Sequence, residues 1–222
     1  MNYQAAVFDM DGLLLDTERV CQKAFQDACR HLSLPVLDET YLKIIGTNAL
    51  SIKNIITTGY GPDLDYESLR VEWMKRYHAV VDFQAIPVKD GVLALLDWLR
   101  EQSIPMAVAT SSEKEVALTK LKLSGLDGYF EHLSTGCEVT HSKPHPEIFL
   151  LAAKRLNTDP TACLAFEDSN HGVRAAMAAG MQVFQVPDLV TPCAETLALG
   201  HQVKPSLTDV LHRLKNAQQE NQ

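Results

Sequence analysis

The chain has 222 residues, 46% hydrophobic and 22% charged, proportions of an ordinary globular protein with room for one large domain or a domain carrying an insert. Its 28 acids outweigh 20 Lys and Arg, for a net charge of −8, which argues against sequence-independent binding of nucleic acid, a task for basic patches. No apolar run approaches the ~18 residues of a membrane helix, and no basic segment precedes an apolar core at the N-terminus, so neither a membrane span nor a signal peptide is expected.

The first element is predicted at Ala5-Ala6-Val7-Phe8, four apolar residues that run directly into Asp9-Met10-Asp11-Gly12. Residues 17–85 then read as helices, with "YGPD" and "SLPV" as turn signals between some of them. From about Asp90 the pattern alternates. A helix is predicted over Val92 to Glu101, a buried strand over Met106 to Thr110, and a helix stopping near Gly125. A short strand falls in "EHLSTG", a helix in "HPEIFLLAAKRLN", a strand over Cys163 to Asp168, and a helix ending at Gly180. The strand "QVFQV" and the helix "SLTDVLHRLKNA" close the chain. Alternating helices and fully apolar strands predict an α/β fold, a parallel sheet covered on both faces. The expected organisation is a Rossmann-like core of residues 1–16 and 86–222, with a small helical cap, residues 17–85, inserted after the first strand.

Ligands of open parallel sheets bind beyond the carboxyl ends of the strands. There the sequence offers Asp9, Asp11 and Gly12, then Thr110, Ser111 and Ser112, then Ser142, Lys143, Pro144, His145 and Pro146, then Glu167, Asp168 and Ser169. Four converging carboxylates need a compensating charge. An oxygen-rich site of carboxylates and water suits Mg²⁺. With Lys143 and the Thr110 hydroxyl it would screen a phosphate dianion from an attacking carboxylate.

Asp9-x-Asp11-Gly12, Thr110, Lys143-Pro144 and Glu167-Asp168 match, in order, the four motifs of the haloacid dehalogenase superfamily of phosphohydrolases. The chain resembles the β-phosphoglucomutase-like and pseudouridine-5′-phosphatase-like members, and "SKPHP" is similar to the hexose-phosphate phosphatases of that group. The resemblance implies Asp9 as the nucleophile that forms an aspartyl-phosphate. It implies Asp11 as the group that protonates the leaving oxygen and then activates water. Mg²⁺ would sit on the Asp9 carboxylate, the Asp11 backbone carbonyl and Asp168, with Glu167 close by. Thr110, Ser111 and Lys143 would hold the phosphoryl oxygens, and Gly12 would let backbone N–H groups approach phosphate. As a buried acid near a like charge, Asp11 is expected to have a raised pKa.

Several residues have a plainer reading. Asp-x-Asp-Gly is not a calcium loop here, because loop position twelve is Val20. His141 and His145 are separated by Pro144 and flanked by Pro146, which forbid a helix, so no zinc site is expected from them. Trp73, Trp98 and the methionines belong to the core. Ala175, Ala176, Ala178 and Ala179 allow close helix–sheet packing. Lys75 and Arg76 form a solvated helix face, and Asp16 is a loop or hinge residue. In the mutase branch a histidine stands at the position of Cys21, and a cap arginine grips the second phosphate where Asn48 or Ala49 falls. Hydrolysis is therefore expected over phosphoryl transfer within a sugar, and the intact acids argue against a non-catalytic interaction protein. The dehalogenase branch uses neither Asp11 nor Mg²⁺. Five scattered cysteines without C-x-x-C suit a reducing cytoplasm. The expected partner is a small phosphorylated metabolite, with no nucleic acid and no membrane, and the chain is expected to be a monomer.

Overall fold

The computed structural model describes residues 3–45 and 49–220. Four apolar residues without alternation form β1 (Ala5–Phe8), wholly buried. Four helices follow: α1 (Thr17–His31), α2 (Asp38–Leu42), α3 (Ala49–Tyr60) and α4 (Tyr66–Val81). The chain then alternates through α5 (Val92–Glu101), β2 (Met106–Thr110), α6 (Lys114–Leu123), β3 (His132–Thr135), α7 (Glu147–Arg155), β4 (Cys163–Glu167) and α8 (Asn170–Ala178). It ends with β5 (Gln182–Gln185), α9 (Ala194–Leu197), β6 (Gln202–Val203) and α10 (Leu207–Gln219).

All six strands are parallel, in the order β3-β2-β1-β4-β5-β6. In register, Phe8 stands between Val108 and Phe166. The period-two alternation of side chains gives the sheet two different faces. One carries Phe8, Val108, Phe166 and Phe184 against Leu95 and Leu99 of α5 and Val210 and Leu214 of α10. Phe8 stacks on Phe166 at 4.5 Å and Phe166 on Phe184 at 5.7 Å. The other face is small: Ala5, Val7, Ala107, Ala109 and Ala165 meet Phe149 and Ala152 of α7 and Ala175 and Ala176 of α8. Ala175, Ala176 and Ala179 are buried in this close contact, whereas Ala178 points outward and plays no part in it. β6 and α9, of two and four residues, were not anticipated, because elements so short carry no readable period.

Helices α1 to α4 enclose a separate apolar cluster built on Phe25, Tyr41, Ile56, Leu69 and Trp73. The Trp73 indole N–H donates to the Cys21 carbonyl at 3.1 Å, which satisfies its one buried donor. Tyr77 packs against both this cluster and the sheet core. Leu13, Leu14 and Leu15, which follow Gly12, are all buried in the sheet core. The outgoing and returning chains are laced there: Asp16 N–H donates to the Pro87 carbonyl at 2.9 Å, and Lys89 N–H to the Leu14 carbonyl at 3.0 Å. Among the described residues no helix is long and apolar enough to cross a membrane.

Candidate active site

The sheet order turns at β1, with β2 on one side and β4 on the other, and this is where the crevice of a doubly wound sheet opens. Asp9 follows β1 directly, anchored by its N–H to the Phe166 carbonyl at 2.9 Å. Thr110 ends β2 and Glu167 ends β4. Lys143 arrives from the segment between β3 and α7, with its bond to Pro144 in the cis form.

The Lys143 ammonium donates to Asp9 Oδ1 at 2.5 Å, to Glu167 Oε1 at 2.6 Å and to the Ala109 carbonyl at 3.1 Å. Glu167 is wholly buried. Its second oxygen accepts from the backbone N–H and hydroxyl of Ser169, each at 3.0 Å. Ser169 in turn caps α8 by accepting from the Gly172 N–H. Glu167 is thus committed to two protein partners, and Gly172 leaves it room, since a Cβ there would overlap the carboxylate at 1.7 Å.

Asp11 faces elsewhere. Its Oδ1 accepts from the Lys120 ammonium at 2.7 Å, and its Oδ2 from the hydroxyls of Ser112 at 2.8 Å and Thr110 at 3.2 Å. Burial raises its pKa, but the Lys120 charge and hydrogen bonds from Lys120, Ser112 and Thr17 outweigh that, and the net shift is downward. The expectation of a raised pKa at Asp11 is therefore corrected, because a buried lysine invisible to the motif reading stands beside it. The raised carboxyls are others. Asp9 is pushed up to about 8 by burial, against Lys143, with Glu167 and Asp11 adding repulsion. Asp168 is raised well above the carboxylate range by burial and by Glu167, Asp9 and Glu18.

This crowding tests the fit of a cation. Carboxylate oxygens of Asp9, Glu167 and Asp168 lie within 4.8 Å of one another. All three are buried, and among the described residues the cation hydrogen-bonded to them is Lys143. A set of buried carboxylate oxygens with excess negative charge is the donor chemistry of Mg²⁺, and the residues fit it. Gly12 serves that cluster. At φ +86° it adopts a backbone that side chains disfavour, and a Cβ would lie 2.4 Å from Asp168 Oδ2. Its own N–H donates to the Leu15 carbonyl at 2.9 Å, so the glycine makes room for Asp168 rather than presenting a free N–H.

Asp9, Asp11, Thr110, Ser111, Lys143 and Asp168 line one cleft of about 300 Å³, together with Glu18, Ile45, Ser142, Pro144, Ser169 and His171. Glu18, at the start of α1, was missed by the motif reading. Burial, then Asp11 and Asp188, push its carboxyl up to about 7. Lys120 was missed as well, although a signal was present: it falls with Ala117, Leu121 and Ser124 on the inward stripe of α6, where a lysine breaks the apolar pattern. His141 and His145 are on no common helix, as anticipated, yet a tight turn brings their rings within 4.6 Å, both beside Glu147. Lys75 and Arg76 both pair with Glu72, and Asp16 with Arg19. Asn48, half of the mutase comparison, lies outside the described residues.

A doubly wound sheet with carboxylates at its switch point and helices following the first strand defines an α/β protein with an acid-lined crevice, and its relatives give the class. Residues 6–186 match the haloacid dehalogenase-like hydrolase family, and the chain belongs to it. It is 34% identical to the fructose-1-phosphate phosphatase YqaB of Escherichia coli (strain K12), over 83% of this chain and 96% of that protein. It is also 34% identical to a probable pseudouridine-5′-phosphatase of Drosophila melanogaster, over 82% and 80% of the two chains. A HAD family hydrolase of Deinococcus radiodurans R1, solved with bound phosphate and sodium, superposes with a TM-score of 0.83 at 24% identity, covering 97% of this chain and 96% of that one; this last likeness is one of fold. As a family member whose relatives are phosphatases, the chain is a phosphoric monoester hydrolase.

Proposed function

We propose that this chain hydrolyses a small sugar or polyol phosphate with Mg²⁺ through a phosphorylated Asp9. The observation that carries the reading is the buried trio Asp9, Glu167 and Asp168 around Lys143 at the floor of the cleft. An Asp9 carboxylate oxygen attacks phosphorus, and the bond from phosphorus to the ester oxygen breaks. Asp11, a carboxylate beside Lys120 in the free protein, takes up a proton as the negative charge of the phosphate enters the cleft and gives it to the departing alkoxide. Water then attacks the acyl phosphate, Asp11 takes its proton, and inorganic phosphate leaves with Asp9 restored. When bound by Asp9, Asp168 and the Asp11 carbonyl, Mg²⁺ supplies positive charge against the phosphoryl oxygens. Lys143 holds Asp9 in place and carries the second positive charge of the centre. Thr110 and Ser111 lie where the phosphoryl oxygens would be received.

The substrate class rests on the cleft. Besides the aspartates, Thr110, Ser111 and Lys143, the cleft is lined by Glu18, Ser142, Ser169 and His171, polar groups that suit hydroxyls, with Ile45 and Pro144 as its apolar part. A polyhydroxylated leaving group matches them, in keeping with the fructose-1-phosphate phosphatase relative. The test is phosphate release from a panel of hexose phosphates, fructose 1-phosphate among them, and nucleoside monophosphates. Hexose phosphates should be turned over best, chelator should remove activity and Mg²⁺ restore it, and Asp9→Asn should form no phosphoenzyme. Full turnover by metal-free protein, or wild-type turnover by Asp9→Asn, would overturn the reading.

A further inference from the structure

Lys120 is 1% exposed, in the middle of α6, and every motif reading passes it by. Burying an ammonium is costly unless an opposite charge and hydrogen bonds offset it. Its carboxylate partner is Asp11, at 2.7 Å; Ser112 Oγ lies 3.4 Å away. The same ammonium sits 5.4 Å from the ring centre of Tyr77, on α4. Tyr77 packs against the apolar clusters of both the sheet and the inserted helices. Asp11 is therefore held on one side by Lys120, Ser112 and Thr110, while Lys143 holds Asp9 and Glu167. The two lysines divide the acids of the cleft into two groups, and the division keeps Asp11 off the cluster of Asp9, Glu167 and Asp168.

We propose that Lys120 is a positioning residue for Asp11, and that Tyr77 ties this position to the placement of the inserted helices. Lys120 does not belong to the lining of the cleft. It fixes which way the Asp11 carboxylate faces, so that proton delivery to the ester oxygen depends on how α4 sits over the core. The inference rests on the proton-transfer role proposed for Asp11 above.

The test compares an alkyl monoester, fructose 1-phosphate, with p-nitrophenyl phosphate, whose phenolate departs without a proton. Single-turnover phosphorylation rates are measured for wild type, Lys120→Met, Tyr77→Phe, Tyr77→Ala and Asp11→Asn. Lys120→Met should slow the alkyl ester by roughly 10–100-fold, part of the ~10²–10⁴ that general acid–base catalysis supplies. It should slow the aryl ester by less than about threefold, with KM little changed. In the Asp11→Asn background Lys120→Met should add almost nothing, since residues acting as a unit are not additive. Tyr77→Ala should show the same selectivity at smaller amplitude, and Tyr77→Phe, which keeps the ring but loses the hydroxyl that interacts with Lys120, should fall between Tyr77→Ala and wild type.

Equal losses on both esters would make Lys120 merely structural and overturn the inference, as would wild-type rates in Lys120→Met. If Lys120→Met fails to fold, Lys120→Gln, which keeps length and a donor but no charge, answers the same question. Equal slowing of both esters in Asp11→Asn itself would instead locate the failure in the proposed role of Asp11, and would bring the inference down with it.

Discussion

Gly12 is the residue whose place is set twice over. Its φ of +86° disfavours any side chain, and a Cβ would lie 2.4 Å from Asp168 Oδ2. Gly12→Ala should therefore cost about 1 kcal/mol or more of stability from the backbone alone. It should also displace Asp168, raising the Mg²⁺ concentration for half-maximal activity in a metal titration. A variant with unchanged Mg²⁺ dependence would separate Gly12 from the metal. Asp11→Asn keeps the size of the side chain but loses the proton and the charge that Lys120 faces. Turnover should fall by roughly 10²–10⁴-fold, with the fold intact by circular dichroism; near-normal turnover would remove Asp11 from the chemistry.

At the scale of elements, the segment bearing Lys143 is pinned at both ends. On one side a short turn at Gly136–Glu138 follows β3, with Glu138 accepting from the Thr135 N–H and hydroxyl. On the other, Arg155 in the last turn of α7 reaches back to the Leu133 carbonyl at 2.6 Å, Ser134 Oγ at 3.1 Å and Glu138 Oε1 at 2.7 Å. The Arg155 hydrogen bond first, and the Thr135 bonds after it, lower the Glu138 carboxyl to about 2 from its usual 4.5. A depressed carboxyl stabilises the fold fully above its unfolded pKa and loses that contribution as pH falls through the folded one. Glu138→Gln should accordingly unfold at lower urea than wild type at pH 6, and the two curves should converge as pH drops from about 4.5 towards 2. A gap that stays constant with pH would mean that packing, not charge, holds the staple.

For the whole molecule the question is where the phosphoryl group goes. An enzyme that moves phosphate between positions on one sugar must hold a second phosphate away from the nucleophile, which calls for another cation. Among the described residues lining the cleft the lysine is Lys143, already bonded to Asp9 and Glu167, and no arginine is present. Incubated with β-glucose 1-phosphate, Mg²⁺ and a trace of the bisphosphate, the protein should release inorganic phosphate and form little glucose 6-phosphate. Efficient isomerisation would require a cation from outside the cleft lining, such as Lys53, to reach over the substrate. The separate apolar core of α1 to α4 fits the proposed division at residues 17–85, with the laced strands at Leu15 and Val88 as the place where the inserted helices would turn.

Local chemistry carried far in this chain. The apolar runs Met106–Ala109 and Cys163–Phe166 are buried on both faces, and their alternation with helices was enough to predict a parallel sheet. The ordered acids then marked its carboxyl edge, because β-strand direction fixes which ends converge. What the sequence left open was pairing between distant side chains. Lys120 and Asp11 are 109 residues apart, and nothing local says that a lysine in "LTKLKL" points inward to meet an aspartate. The direction of the Asp11 pKa shift and the partners of Glu167 depend on such contacts. So does the reason for Gly12, which lies in Asp168, across the switch point of the sheet. Periodicity reports which face a residue occupies; only packing across strands decides which charge waits there.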